Sequence, residues 1–485
     1  MKTPCPFWPS RPALPYLALA ALLSATSVSA SAATATTMFR YSPSHTATVA
    51  SGEVELAGMA WRFRTAGQIR STPAVAQGVA VVGSNDGNLY AVDLKTGKER
   101  WKISLGGDVS SSPAIHGEQV IVMAPDGRLL ALRLGDGSTI WSLATGPDIS
   151  FGEDGRASDL WVSSPTLAGD LIYVGGGDGK VHAVELSTGK ERWAFATRHR
   201  VRATPAVVDG VVYVGSFDGH LYALDAATGA EKWKFQSGDS VQSSAAVADG
   251  LVFFGGRSLA IFALEAKTGA LKWRRPHSGS WILASPAVAA GKVIIGGSDS
   301  HLLEALDAKT GGPVWSLYVG GRLLGSPTVA GKTILFGSED WRVYTADLET
   351  GLGRSIDLTE AAIYSSVVLA GDLVLVGSDD RHLYAYRTRP AKPATNSAPA
   401  ELLQAMAGRY RTPSGDVFTL VPHLGRLRTE YCTYPPAETS VRADGTFDCA
   451  MLWGTTGRVQ REPGKPVRAL QLNLFGAETV ATRIE

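Results

Sequence analysis

The chain has 485 residues, a formal net charge of +1 and three cysteines. It is too long for one ordinary core, and so balanced a charge lacks the basic footprint that nucleic-acid binding requires. Its longest early apolar run, Ala13 to Leu23, falls short of the roughly 20 residues of a membrane-spanning helix.

That run follows Lys2 and Arg11 and precedes the small residues Ala30-Ser31-Ala32. This is the pattern of a secretory signal, so residues 1–33 are assigned to export and a periplasmic or secreted location is expected. Cys5 precedes the apolar run and cannot be the lipidated residue that follows a lipoprotein signal, so no lipid anchor is expected. Loss of the signal leaves Cys432 and Cys449. An even pair in an exported chain reads as a disulfide, worth roughly 3 kcal/mol for a loop of about 18 residues; two buried free thiols are the alternative.

Seven tryptophans then keep a beat: Trp61, Trp101, Trp141, Trp193, Trp233, Trp273 and Trp315, at steps of 40, 40, 52, 40, 40 and 42 residues. Such an interval belongs to a supersecondary unit of about 40–45 residues built repeatedly, the period of four-stranded propeller blades. The clearest unit runs from Ala203-Thr204-Pro205 through Val211–Ser216 and Asp218–Asp225 to Thr228-Gly229 and Trp233-Lys234-Phe235. Asp-Gly and Thr-Gly punctuation accepts positive φ and suits hairpins, and the runs between alternate like strands. Ser/Thr-Pro starts recur at Pro73, Pro113, Pro165, Pro205, Pro286 and Pro327, with Ser244-Ala245 and Ser366-Val367 as degenerate copies. Eight starts predict eight blades. The last, ending at Tyr384-Ala385-Tyr386, lacks a fourth strand, and Trp61-Arg62-Phe63 is a fourth strand without its first three. Joining them seals the ring over residues 58–388 and removes an open sheet edge. The Trp row is expected to be structural, each indole packed on the adjacent blade near its Thr-Gly turn.

Residues 389–400 read as a Pro/Ala linker. Beyond it the beat stops, and β-rich runs at Gly408–Leu420, Arg426–Tyr431, Arg468–Leu474 and Glu478–Ile484 predict a small β domain over 401–485. The first of these runs resembles the lipocalin-like β domains appended to some serine hydrolases.

The element Leu-Tyr-Ala-Leu-Asp-x-x-Thr-Gly-x-x-x-Trp, best at Leu221–Trp233 and again at Leu89–Trp101, resembles the pyrroloquinoline-quinone (PQQ) propeller repeat. The resemblance implies an all-β eight-bladed propeller and two functional branches. Quinoprotein dehydrogenases of small alcohols or sugars hold PQQ with calcium in the central funnel. Periplasmic scaffolds, typified by the outer-membrane β-barrel assembly lipoprotein B, bind proteins and no cofactor. Many alcohol-oxidising members carry adjacent cysteines, which this chain lacks. Its candidate calcium ligands, Asp86, Asp126, Asp178, Asp218, Asp299 and Asp379, read as one turn residue per blade. An exported protein-binding or scaffolding role, such as one in envelope protein assembly, is therefore the expectation. Catalytic residues, metal and cofactor are expected to be absent, and envelope or periplasmic proteins or peptides are the expected partners.

Several signatures are rejected. The Lys-Thr-Gly triplets at Lys95, Lys267 and Lys309 fall in the repeated turn. Gly331-Lys332-Thr333 lacks the helix of a phosphate loop. His220, His301 and His382 share a slot that Asn88, Arg128, Lys180 and Arg342 fill elsewhere, which reads as a solvated strand start. Propellers bind through loops leaving rigid blades, and Arg and Trp are frequent hot spots. The loops after the Trp strands and the Asp-Gly turns should share one face. Candidate binding residues there are Trp161 in a long insertion, Arg198, Arg200 and Arg202, then Arg274 and Arg275 with Trp281, and Trp341. Pairing of Arg200 and Arg202 with Asp154 or Asp159 is the bland alternative.

Overall fold

The computed structural model describes residues 37–146, 162–277, 279–351, 353–391, 398–415, 417–423, 426–431, 437–449, 455–460, 467–474 and 477–484. The signal assignment, Trp161 with its insertion, and Cys432 of the expected disulfide lie outside them.

Eight antiparallel sheets follow one another along the chain, seven in simple sequence order. In blade 4, Ala206–Val208, Val211–Gly215, His220–Asp225 and Glu231–Gln236 run from inside to outside. The two middle strands are buried on both faces, whereas the outer strand alternates exposed with half-buried residues. Blades 1 to 7 begin at Ala74, Ala114, Thr166, Ala206, Ala246, Ala287 and Thr328. Blade 8 comprises Val368–Ala370, Leu373–Gly377 and His382–Pro390, completed by Val54–Arg64. Trp61 there pairs with Ala385 and Phe63 with Leu383. The ring is sealed by its own N-terminal strand, as the repeat count requires.

Each tryptophan of the beat does the same work. Its Nε1 donates to a carbonyl of the next blade: Trp61 to Leu94 at 2.9 Å, Trp101 to Leu134 at 2.7 Å, Trp141 to Leu186 at 3.0 Å and Trp193 to Ala226 at 2.9 Å. Trp233, Trp273 and Trp315 reach Ala266, Ala308 and Leu348, all at 3.0 Å. The glycine of the next blade's turn lies flat on the indole. A Cβ on Gly229 would stand 2.7 Å from Cδ2 of Trp193, and Gly229 also holds φ +73°. An alanine opposite each Trp in its own blade, such as Ala223 opposite Trp233, leaves room for the ring.

The centre contains something the repeats do not announce. Residues 37–49 thread the channel and satisfy the inner edges of the blades. Backbone N–H groups of Ile115, Val207, Val247, Val288 and Val329 donate to the carbonyls of Thr37, Pro43, Ser44, Thr46 and Ala47. Leu369 N–H donates to the Tyr41 hydroxyl at 2.6 Å. Thr48–Val49 then pairs in parallel with Thr328–Ala330. An inner edge strand without such partners would leave a row of buried backbone groups unpaired. The insertion is bent tightly, with positive φ at Arg40, Tyr41, His45 and Ala47. It also buries Arg40, whose guanidinium donates to Pro327 O at 2.7 Å and Pro286 O at 2.5 Å, and His45, whose Nε2 meets Thr166 Oγ1 at 3.2 Å.

The C-terminal part is a barrel. Eight strands, Gly408–Arg411, Val417–His423, Arg426–Tyr431, Ala437–Val441, Thr446–Cys449, Thr455–Gln460, Ala469–Leu474 and Ala477–Arg483, pair in order, and the last closes on the first. The one helix among the described residues, Ala400–Met406, puts Leu402, Leu403 and Met406 into its core with Tyr410, Phe418 and Phe447. This is an up-and-down barrel filled by side chains. Residues 389 and 390, read from sequence as linker, extend the blade 8 strand opposite Glu55 and Val54.

Two outcomes follow. Trp315→Ala, at a site 3 % exposed, lowers stability by about 3–5 kcal/mol in urea denaturation, whereas Trp341→Ala, at a site 53 % exposed, stays within about 0.5 kcal/mol. Burial, with Arg40 adding, holds the His45 imidazole down to about 3. The unfolded chain protonates first as pH falls, so His45 contributes stability that is complete above its ordinary value near 6.5 and drains away toward pH 3. Between pH 7 and pH 4 the wild type loses roughly 3 kcal/mol more than His45→Gln; parallel losses would contradict this burial.

Candidate functional site

The segment leaves a blind funnel on the face where the Trp-strand loops and the Asp-Gly turns meet. Those two loop classes are joined by hydrogen bonds: the turn carboxylate of Asp86 accepts the N–H of Ala66 at 2.9 Å, and that of Asp218 accepts Arg198 N–H at 3.0 Å. The funnel holds about 640 Å³, its open mouth included.

Its deeper wall is a closed ring of hydroxyls, one from each blade at the start of the inner strand. Thr72 N–H donates to Ser112 Oγ at 3.0 Å, Ser112 to Ser164 at 2.9 Å, Ser164 to Thr204 at 3.1 Å and Thr204 to Ser244 at 2.9 Å. Ser244 donates to Ser285 at 3.1 Å, Ser285 to Ser326 at 2.9 Å, Ser326 to Ser366 at 3.2 Å, and Ser366 back to Thr72 at 3.2 Å. The Ser/Thr-Pro starts read from sequence as strand punctuation therefore build this circuit.

A second ring stands two residues earlier in every blade: Arg70, Ser110, Val162 and Arg202, then Gln242, Leu283, Leu324 and Tyr364, with Phe39 of the inserted segment between them. The rings differ in kind. The hydroxyls repeat because each serves its neighbour's backbone; in the second ring, where Val162 N–H donates to Ser110 Oγ at 3.1 Å, the residue type varies from blade to blade. Its character is split, with an apolar arc from Leu283 through Leu324 to Tyr364 over blades 6 to 8. Arg70 is held by a bidentate pair to Asp379, at 3.0 and 2.7 Å, and lies 5.0 Å over the Tyr364 ring. Its hydrogen bonds to Asp379 raise the guanidinium above its ordinary value despite burial.

The sequence-selected residues divide. Trp281, 38 % exposed, lies on the rim with the Arg257 guanidinium 4.8 Å over its ring, and Arg257 Nε donates to Gln242 of the funnel wall at 2.9 Å. Arg202 lines the funnel. Arg198 and Trp341 face solvent, and Trp341 occupies a turn at φ 73°. Arg200 is instead buried. Arg274 and Arg275 do not lie in a loop: the outer strand continues through Pro276, placing Arg274 opposite Phe262 and Arg275 opposite Ile261. Arg275 turns inward to Glu304 at 3.3 Å, which also takes His277 at 3.0 Å.

The turn acids need one correction. In blade 8 the turn residue is Asp380, whose Oδ1 accepts His382 N–H at 2.9 Å and whose Oδ2 accepts the Tyr384 hydroxyl at 2.7 Å; Asp379 is the partner of Arg70. In blade 6 the hairpin spans Gly297 to Leu302, one residue more than Ser216 to His220 in blade 4. His301 therefore sits at a positive φ of 56° and Leu302 begins the strand. Elsewhere these carboxylates serve turns, as with Asp218, which accepts His220 N–H and the Tyr222 hydroxyl. Among the described residues no three His, Cys, Asp or Glu side chains converge, so the funnel lacks the gathered carboxylate oxygens that calcium takes. Phe39, Arg40, Arg70, Gln242, Arg257 and Tyr364 were not singled out from sequence, since none repeats.

The sequence matches the family model of the outer membrane protein assembly factor BamB over residues 51–164, 152–280 and 277–440. The chain belongs to that family. Among solved structures it is similar to BamB from Moraxella catarrhalis, at 19% identity and a TM-score of 0.57, covering 70% of this chain and 99% of that one. It is also similar to a europium-containing methanol dehydrogenase, at 13% identity and a TM-score of 0.61, covering 73% and 98%. The computationally designed Ika8 protein aligns at 16% identity and a TM-score of 0.59, covering 68% and 100%. Identities this low speak for the propeller fold alone. No curated protein matches the sequence, and among the described residues no helix is long and apolar enough to cross a membrane.

Proposed function

We propose that this BamB-family chain is an exported, non-catalytic scaffold that binds envelope proteins or peptides through its loop-rich face. The observation that carries the reading is the channel filled by the chain's own residues 37–49, which leaves the rim as the variable surface. The name of the family, an outer membrane protein assembly factor, supports the same partner class. On that rim Trp281 and Trp341 are exposed large apolar side chains, and Arg198 is exposed as well. Exposed Trp and Arg on a rigid frame are suited to anchoring a partner.

The dehydrogenase alternative draws on solved neighbours such as the methanol dehydrogenase. It would need PQQ and calcium in the funnel, where the donors are hydroxyls and an Arg70–Asp379 pair. Those residues fit a calcium–quinone complex poorly.

A triple variant, Arg198→Glu with Trp281→Ala and Trp341→Ala, loses capture of periplasmic partners in pulldown while its melting temperature holds. Undiminished capture would remove this face as the site. Stoichiometric uptake of PQQ with calcium and dye-linked alcohol oxidation would instead establish the alternative.

A further inference from the structure

The hydroxyl ring is unusual in what it leaves over. Each oxygen accepts one backbone N–H from the preceding blade, and that bond fixes the oxygen at the funnel wall. The hydroxyl hydrogens have no acceptor among the described residues. The eight side chains are only 4 to 7 % exposed. The wall therefore presents a stack of hydroxyl donors to whatever occupies the funnel. Each wall hydroxyl keeps its O–H to donate to an accepting group in the funnel.

A second, independent feature has the same sign. Arg40 is 3 % exposed, and no carboxylate lies within salt-bridge distance of it among the described residues. Its Nη atoms are spent on the carbonyls of Pro286 and Pro327, which follow ring members Ser285 and Ser326 in sequence, and its Nε has no partner. Burial lowers this guanidinium to about 9, so it stays charged at neutral pH. The charge lies 6.0 Å from the centroid of the Phe39 ring, and Phe39 lines the funnel. A buried cation without a counter-ion stabilises an anion placed nearby in low dielectric. Two acids beside the funnel are already engaged: Asp379 by Arg70 and Glu339 by the Tyr364 hydroxyl at 2.9 Å.

We propose that the funnel is a binding site for a carboxylate carried on an aliphatic body. The carboxylate oxygens accept from neighbouring ring hydroxyls, and the body lies along Leu283, Leu324 and Tyr364. This is a ligand site separate from the partner-binding rim, and it stands whether or not the rim captures proteins. The same chemistry occurs in a small aliphatic acid and at the C-terminus of a peptide ending in an aliphatic residue.

Calorimetric titration of the full chain with hexanoate, hexanol, N-acetyl-Ala-Ala-Leu and its C-terminal amide tests the assignment. Hexanoate binds one per chain with a Kd of about 1 mM or tighter, and hexanol does not saturate. Binding of the peptide acid alongside hexanoate extends the site to chain ends; binding of hexanoate alone restricts it to small acids. Leu324→Asp, a half-buried wall position, places a like charge beside the carboxylate and weakens hexanoate at least tenfold with an unchanged melting temperature. Arg40→Met weakens it in the same direction where the variant folds. No saturable hexanoate binding up to about 20 mM, hexanol or the peptide amide binding as tightly as the acids, or full affinity in Leu324→Asp would each overturn the proposal.

Discussion

The molecule rests on one contact made seven times: an indole donating to a carbonyl of the next blade while lying under that blade's turn glycine. The contact couples three residue types at fixed offsets. Trp supplies area and a single donor, Gly removes the Cβ that would collide with the ring, and the positive φ at that glycine forms the turn that presents the carbonyl. Because each blade holds its successor in this way, the 40-residue interval is a mechanical requirement. The 52-residue step from Trp141 to Trp193 leaves the contact of Trp141 with Leu186 at 3.0 Å.

A ring of eight such blades creates a second problem at its axis, where every inner strand presents an unpaired edge. The chain answers with residues 37–49, which accept from inner-strand amides in six blades. The solution carries local cost, in positive φ at four non-glycine residues and in burial of Arg40 and His45. It leaves the upper funnel as a pocket with a fixed hydroxyl wall and a variable mouth. Rigid repetition below and free variation above is the arrangement from which a propeller draws specificity.

Much of this was legible in the sequence, and the limits have physical reasons. The Trp interval, the Asp-Gly turns and the orphan Trp61 strand give the blade count and the closure, because all three are consequences of one periodic contact. The inserted segment was not legible: the alternation in Thr46–Val49 is too short to mark a strand, and the conformation of the segment depends on edges that exist only once the ring has closed. The turn positions of His301 and Asp379 slipped by a residue because His301 and Arg381 adopt the left-handed conformation that glycine marks elsewhere. In the barrel, Ala437–Val441, Thr446–Cys449 and Thr455–Gln460 are short and polar, and register across a closed barrel rather than local apolarity holds them. Arg274 and Arg275 read as a basic loop in sequence because their charge masks the strand pairing that continues to Pro276.

The central claim is that the chain's own N-terminal segment occupies the axis of the ring. Amide hydrogen exchange at Val207, Val247, Val288 and Val329 tests it most directly, since these N–H groups donate to the carbonyls of Pro43, Ser44, Thr46 and Ala47 in the channel. The account predicts protection matching that of the ladder amides within the same blades. Exchange as fast as that of exposed turn amides would show an open channel and contradict it.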